Sequence, residues 1–399
     1  MIMLKTNKLT VGYEKKIVVD NVEIEVNSGE ILCFLGANGA GKTTILRTLS
    51  GLLTSISGEV YIKEKNLLQI DKKELAKKLA LVLTNKFEGS LTTVYEVVAM
   101  GRYPHTGFFG KLSEKDNEIV FDALKTVNAD KLKERYFDEL SDGEKQKVLV
   151  ARALAGEPEI IILDEPTTHL DIKHRLELMD ILKKLSKDKN IAVVVCLHEI
   201  DIALKSADKV VLVKDNEIFA YGAPEDVVDE KIINNLYGME SNYNNLLGSV
   251  EIENTLKPEV FVLGGCGKGT PIYRIFTKSD IGISTGIIYE NDIDYEIART
   301  MGIKIYSLKP YKKVEDGDVV HIKNELNDIN FVIDAGSIIG DINFKNTEII
   351  KEAIKRKKTV VSLRSKEDSM KLYGDNYKNI VYFNNVSDVL KEFYKVVNV

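Results

Sequence analysis

The chain has 399 residues, with 55 Lys and Arg against 61 Asp and Glu and a formal net charge of −6. That length carries two domains, and the acidic balance lacks the basic footprint of a nucleic-acid binder, so no nucleic-acid partner is expected. No apolar run approaches the ~18 residues of a membrane span, and Lys5 and Lys8 are not followed by a signal-peptide core.

In chain order, the first strong signal is the apolar strand Ile31 to Leu35. It leads into Gly36-Ala37-Asn38-Gly39-Ala40-Gly41-Lys42-Thr43-Thr44 and a helical pattern running to Leu49. The run matches G-x-x-x-x-G-K-S/T in full, in the strand–loop–helix context that phosphate binding needs. Glycines let the backbone curl its N–H groups inward, and the helix N-terminus adds partial positive charge. Lys42 then reaches the β- and γ-phosphates and the Thr43 hydroxyl can ligate Mg²⁺, which predicts a nucleoside triphosphate site. Leu79 to Thr84 reads as a further strand. The stretch from Leu91 predicts an amphipathic helix ending at Gly101, with Pro104 as stop signal. Leu140-Ser141-Asp142-Gly143-Glu144 opens another helix, with Ser141 as N-cap and Glu144 three residues on. Glu159 to Leu163 is a continuous apolar run, expected to be a central strand buried on both faces. A carboxylate at the carboxyl end of such a strand lies beside the phosphate loop. There Asp164 can hold Mg²⁺ through water and Glu165 can act as general base toward an attacking water. Val193 to Leu197 is one more buried strand, ending in His198. The three cysteines, Cys33, Cys196 and Cys266, are isolated, and they fit inert thiols in a reducing compartment better than disulfides or a metal site.

Taken in order over Met1 to about Gly238, these motifs resemble those of the ATP-binding subunit of an ABC transporter. Gly36 to Thr44 is similar to the Walker A loop, Ile160 to Glu165 to the Walker B strand, and Leu140 to Gln146 to the LSGGQ signature with Asp142 and Glu144 substituted. His169-Leu170-Asp171 resembles the D-loop, His198 the switch histidine, and Tyr13 the aromatic that stacks on adenine. The resemblance implies ATP and Mg²⁺ as cofactors, and a head-to-tail homodimer. Each nucleotide would lie between one subunit's Walker A loop and the other's Ser141 and Gly143, with His198 on the γ-phosphate. Thr84 stands where the family usually has a metal-touching glutamine, so altered metal contact is expected there, with Asn85 alongside. Val98 to His105, with its Met100-Gly101-Arg102-Tyr103-Pro104-His105 run, resembles importers of iron–siderophore complexes, haem and vitamin B12. In that family the segment lies against the permease. The implied function is the ATP-hydrolysing subunit of such an importer, peripheral on the cytoplasmic face of the membrane. Its implied partners are a polytopic permease and, through it, an extracellular substrate-binding protein. The alternative is a soluble ABC ATPase outside transport. Such relatives usually carry two cassettes or a long coiled-coil insert, and this chain has neither.

The expected fold class is α/β. Residues 1–240 form a P-loop core with an antiparallel β portion and a helical subdomain near 86–154; 241–256 is a polar connector; 257–399 is a small parallel, Rossmann-like α/β domain. Its strands are expected at Val260 to Leu263, Ile283 to Tyr289, Ile303 to Leu308, Ile329 to Ile333 and Thr359 to Leu363, with helices at Asp294 to Met301 and Thr347 to Lys355. Its first turn, Gly264-Gly265-Cys266-Gly267-Lys268-Gly269-Thr270, matches G-x-G-x-x-G imperfectly, because Thr270 takes the third glycine's place. Glu290 ends the second strand near where a ribose-binding acid would lie. Two roles stay open for this domain, phosphate binding and a structural or dimer-stabilising one. A similar extra domain occurs in some archaeal ATPases resembling vitamin B12 importers.

Overall fold

The computed structural model describes residues 1–14, 16–83, 91–107, 110–238, 243–244 and 249–397. The chain divides into two compact units, Met1–Ile232 and Ile233–Val399.

The strands of the first unit are β1 (Ile2–Tyr13), β2 (Lys16–Val22), β3 (Glu25–Asn27), β4 (Ile31–Leu35), β5 (Ser57–Ile62), β6 (Lys65–Asn66), β7 (Leu79–Val82), β8 (Ile160–Leu163), β9 (Ala192–Cys196), β10 (Lys209–Lys214) and β11 (Glu217–Gly222). The helices are α1 (Lys42–Leu49), α2 (Lys72–Lys78), α3 (Val94–Ala99), α4 (Glu114–Thr126), α5 (Asp142–Ala155), α6 (Ile172–Lys189), α7 (Ile200–Ser206) and α8 (Pro224–Val227), with α9 (Glu230–Tyr237) reaching the boundary. One sheet is antiparallel, in the order β2-β1-β5-β6 with β3 on β1; the other runs β11-β10-β4-β9-β8-β7 and is parallel from β10 to β7. Strands β4, β8 and β9 are buried along their whole length, which is why each reads as an unbroken apolar run. Leu32, Phe34, Ile160, Ile162 and Val194 share a core with Leu4, Val26 and Val60 of the antiparallel sheet and Ile45, Leu46 and Leu49 of α1. The register sets Phe34 beside Cys196 and Leu163 beside Val195. The chain therefore leaves β4, β8 and β9 at one sheet edge, where parallel α/β sheets carry their ligands.

The helix expected to run to Gly101 stops at Ala99, and Met100–His105 continues as tight 3₁₀ turns with Pro104 inside them. The cause is tertiary. A Cβ on Gly101 would lie 2.1 Å from the Arg152 carbonyl oxygen, so this turn is pressed against the last turn of α5. Arg102 is buried there: its Nε meets Asp116 Oδ1 at 2.8 Å, and its Nη1 donates to the Ala155 carbonyl at 2.8 Å and to Glu157 Oε2 at 2.7 Å. His105 Nε2 lies 2.9 Å from the Gly156 carbonyl oxygen. Two polar residues of the Met-Gly-Arg-x-Pro-His run thus fasten α3 to α5.

Beyond α9, the second unit has a short antiparallel pair, β12 (Tyr243–Asn244) and β13 (Ser249–Val250). Strands β14 (Val260–Leu263), β15 (Ile283–Tyr289), β16 (Lys304–Leu308), β17 (Phe331–Asp334), β18 (Thr359–Ser362) and β19 (Val381–Tyr382) follow. They alternate with α10 (Thr270–Thr277), α11 (Ile293–Thr300), α12 (Asp316–Glu325), α13 (Thr347–Lys355), α14 (Lys366–Tyr373) and α15 (Val386–Val397). The sheet order β16-β15-β14-β17-β18-β19, all parallel, is the doubly wound order of dinucleotide-binding folds. Ile272, Phe276 and Phe393 pack on one face of the sheet, and Val319, Ile349 and Tyr373 on the other. Two polar residues before β14 are held by buried side-chain bonds. Asn254 Nδ2 donates to Thr277 Oγ1 at 2.9 Å and to the Ile281 carbonyl at 2.8 Å, and Glu251 pairs with Arg274. Among the described residues no helix is long and apolar enough to cross a membrane.

Candidate nucleotide site

The loop between β4 and α1 is shaped by its glycines. Gly36 and Gly41 have φ of 151° and 103°; a Cβ would lie 2.4 Å from the Val213 carbonyl oxygen at the first and 2.5 Å from Val19 at the second. Only glycine fits either position. The loop curls around the buried Lys42, whose Nζ donates to the carbonyls of Gly36 at 2.7 Å and Ala37 at 3.0 Å. Ala40 closes the turn by donating its N–H to the Ala37 carbonyl. Asn38, Gly39, Gly41, Lys42, Thr43 and Thr44 line a cavity of about 340 Å³, shared with Tyr13 and Glu165 from elsewhere in the unit. Its size suits a small-molecule ligand.

Thr43 Oγ1 donates to Asp164 Oδ1 at 3.1 Å. Asp164 is buried at the end of β8, and burial pushes its carboxyl pKa up, against the Thr43 hydrogen bond that pulls it down. A buried carboxylate beside a hydroxyl is a pair of hard oxygen donors whose desolvation a divalent cation relieves, so these residues fit Mg²⁺. Glu165 follows with φ of 50°, in the left-handed region, which costs a non-glycine residue about 1–3 kcal/mol. This kink sends its side chain to His198 at the exit of β9, with Nε2 to Oε1 2.8 Å apart.

Glu199, which no sequence motif singled out, organises the same edge. Its Oε2 accepts from Thr167 Oγ1 at 2.9 Å, its Oε1 pairs with Arg175 Nη1 at 3.1 Å, and Arg175 Nε donates to the Leu170 carbonyl at 2.7 Å. The turn from Asp164 to Leu170 is thereby tied to the segment carrying His198. The sole signal in the sequence was that Glu199 follows His198. Asp171 caps α6, accepting from the His174 N–H at 2.8 Å. Ser141 caps α5 in the expected capping box: its Oγ accepts from the Glu144 N–H at 3.4 Å, and Glu144 Oε2 accepts from the Ser141 N–H at 2.9 Å. Ser141 is exposed, Gly143 backs onto the His174 ring, and neither lines the cavity with Lys42. Thr84 and Asn85 lie outside the described residues.

Residues 19–168 match the family model described as ABC transporter. The ABC transporter ATP-binding protein MJ0873 of Methanocaldococcus jannaschii is 44% identical over 287 residues, covering 71% of this chain and 99% of that protein. The chain belongs to the ABC transporter ATP-binding proteins. As a member it is an ATP-binding ATPase subunit. The petrobactin import ATP-binding protein FpuD of Bacillus anthracis is 36% identical over 237 residues, 59% of this chain and 87% of that protein. The cobalamin import ATP-binding protein BtuD of Halobacterium salinarum is 30% identical over 308 residues, 75% of this chain and 77% of that protein. Among solved structures, a metal-chelate type ABC transporter in an inward-facing conformation matches with a TM-score of 0.53 at 27% identity, covering 59% of this chain and 89% of that chain. The dimeric cassette MJ0796 matches with a TM-score of 0.50 at 29% identity, covering 56% and 99%. Residues 283–390 match a separate model, the MJ0874 family.

Proposed function

We propose that this ABC ATPase powers uptake of an iron–siderophore complex, haem or cobalamin through a membrane permease, on the cytoplasmic face and supplied by an extracellular substrate-binding protein. The observation that carries the catalytic part is the Glu165–His198 pair at 2.8 Å beside a cavity lined by Lys42 and Thr43. Lys42 exchanges its loop carbonyls for β- and γ-phosphate oxygens, while the loop amides hold the remaining phosphate charge. Thr43 and Asp164 would hold Mg²⁺, with Thr84 proposed as a further oxygen donor, and the ion would neutralise charge on the phosphate oxygens. Glu165 takes the proton of the attacking water. The water oxygen bonds to the γ-phosphorus, the bond from that phosphorus to the β–γ bridging oxygen breaks, and ADP and inorganic phosphate leave. His198 orients Glu165 and the water, and Tyr13 stacks on adenine. Because Ser141 and Gly143 sit away from the cavity of their own chain, they act on the ATP of a second copy in a head-to-tail dimer.

Import is supported by what the relatives are named for, and by an apolar groove of about 440 Å³ on the helical subdomain, lined by Leu91, Tyr95, Ala99, Met100 and Tyr103. Leu91 and Tyr103 are 84% and 61% exposed, an apolar face suited to a permease helix. Glu165→Gln tests both parts. The variant should bind ATP, dimerise with it, lose roughly 10²-fold or more in turnover, and retain a polytopic permease from native membranes. Unimpaired turnover refutes the role of Glu165; an intact ATP dimer that retains only soluble proteins refutes import.

A further inference from the structure

The glycine-rich turn of the second unit, Gly264 to Thr270, lies where the doubly wound order would place a dinucleotide's pyrophosphate. Its backbone suits that task. Gly265, Cys266 and Gly267 have φ of 128°, 56° and 73°, so successive amides turn inward, toward the point faced by the first N–H groups of α10. That point is already filled. Asp294 Oδ2 accepts from the Gly265 and Gly269 N–H groups, both at 2.7 Å. Its Oδ1 accepts from the Thr270 N–H at 2.9 Å and the Thr270 hydroxyl at 2.7 Å. Asp292 takes the Cys266 N–H at 2.7 Å with one oxygen and the Asp294 N–H at 2.9 Å with the other. Asp294 has no exposed surface. Glu290, the candidate ribose acid, instead meets the exposed Lys309 at 2.8 Å.

We infer that Asp294 is a built-in anion occupying the phosphate cradle of the second unit. The turn is then a clasp between β14–α10 and β15–α11, closed to nucleotides and to free phosphate. The donors converging on Asp294 are the groups a phosphate would need. A buried carboxylate with four donors is stabilised by them as a phosphate would be, and each donor left unpaired carries a desolvation penalty. An entering phosphate must evict a carboxylate anchored on α11, and the donors it would seek already serve Asp294 and, at Cys266, Asp292. Any ligand of this unit is therefore one that needs no phosphate contact at this turn.

The test uses the full chain, with wild type as reference because the cassette also binds phosphates. Cys33 and Cys196 are fully buried and Cys266 is exposed, so alkylation at Cys266, located by mass spectrometry, reports on this turn alone. In wild type the Cys266 rate should not change with inorganic phosphate, pyrophosphate, NAD or ADP. In Asp294→Ala the emptied cradle should lower the thermal midpoint. Phosphate or sulfate, but not chloride at equal ionic strength, should restore part of that loss and protect Cys266. Protection of Cys266 in wild type by any of these ligands overturns the inference, as does a folded Asp294→Ala chain indifferent to phosphate. Should Asp294→Ala fail to fold in phosphate and in chloride alike, the wild-type arm decides.

Discussion

Replacing Arg102 with methionine separates two readings of the Met100 to His105 run, a clamp inside the helical subdomain or a surface kept for a permease. The guanidinium is 4% exposed and makes three bonds, to Asp116, Ala155 and Glu157. The Glu157 side chain is 54% exposed, so that pair contributes at most about 1 kcal/mol. Asp116 is different, at 14% exposure, and the Ala155 carbonyl loses a buried donor. Breaking a buried ion pair costs about 3–5 kcal/mol. Asp116 keeps the Ser113 N–H and hydroxyl, which puts the expected loss near the lower end, about 3 kcal/mol. Methionine fills much of the arginine stem's volume, so the packing loss is small. Hydrogen exchange is the suitable assay, since two compact units need not unfold together. Amides of α3, α4 and α5 should exchange roughly 10²-fold faster in Arg102→Met, the equivalent of about 3 kcal/mol, with β14 to β19 unchanged. Loss of ATP-driven uptake with subdomain protection intact would refute the clamp and assign Arg102 to docking.

Two further outcomes follow from the same geometry. Asp116 is held down to a pKa of about 2 by the Ser113 hydroxyl and N–H, with Arg102 adding to them. A folded-state pKa below the unfolded value gives stability that is complete above the unfolded pKa and lost as pH falls through the folded one. The subdomain should therefore lose roughly 2 kcal/mol of protection between pH about 4 and about 2; a pH dependence undiminished in Asp116→Asn would show that other groups cause it. Glu199→Ala releases Thr167 and Arg175 and should lower kcat about 10-fold with KM for ATP nearly unchanged, a positioning effect smaller than the 10²-fold cost of a 1 Å displacement. Glu199→Gln, which still accepts a hydrogen bond, should recover part of it, and a raised KM with unchanged kcat would count against positioning.

What was legible in the sequence was local or periodic. Strands β4, β8 and β9 announce themselves as apolar runs because both faces are covered, and β14 and β15 begin and end at the expected residues. The phosphate loop and the Ser141–Glu144 capping box are legible because a short stretch of backbone needs those residue types at those spacings. What escaped depends on partners far along the chain. Helix α3 ends early because Gly101 meets Arg152, Glu199 acts through Thr167 and Arg175, and Asn254 is buried against Thr277 and Ile281. A polar residue in sequence looks solvated until its distant partners are known.

The two glycine-rich loops make that point mechanistically. Both follow a buried strand, both precede a helix, and both place glycines in the left-handed region. In the first unit Asp164 comes from a strand end, and among the described residues its carboxylate accepts from the Thr43 hydroxyl and from no loop N–H, while the loop residues line the cavity. In the second unit the carboxylate comes from α11, one element further on, and takes the amides themselves. Whether such a loop receives phosphate is therefore decided by where the next acid is anchored. If that is the governing rule, moving the acid should move the function: emptying the Asp294 position should create an anion site, whereas Asp164→Ala should leave the cassette loop competent to bind ATP and impair only its turnover.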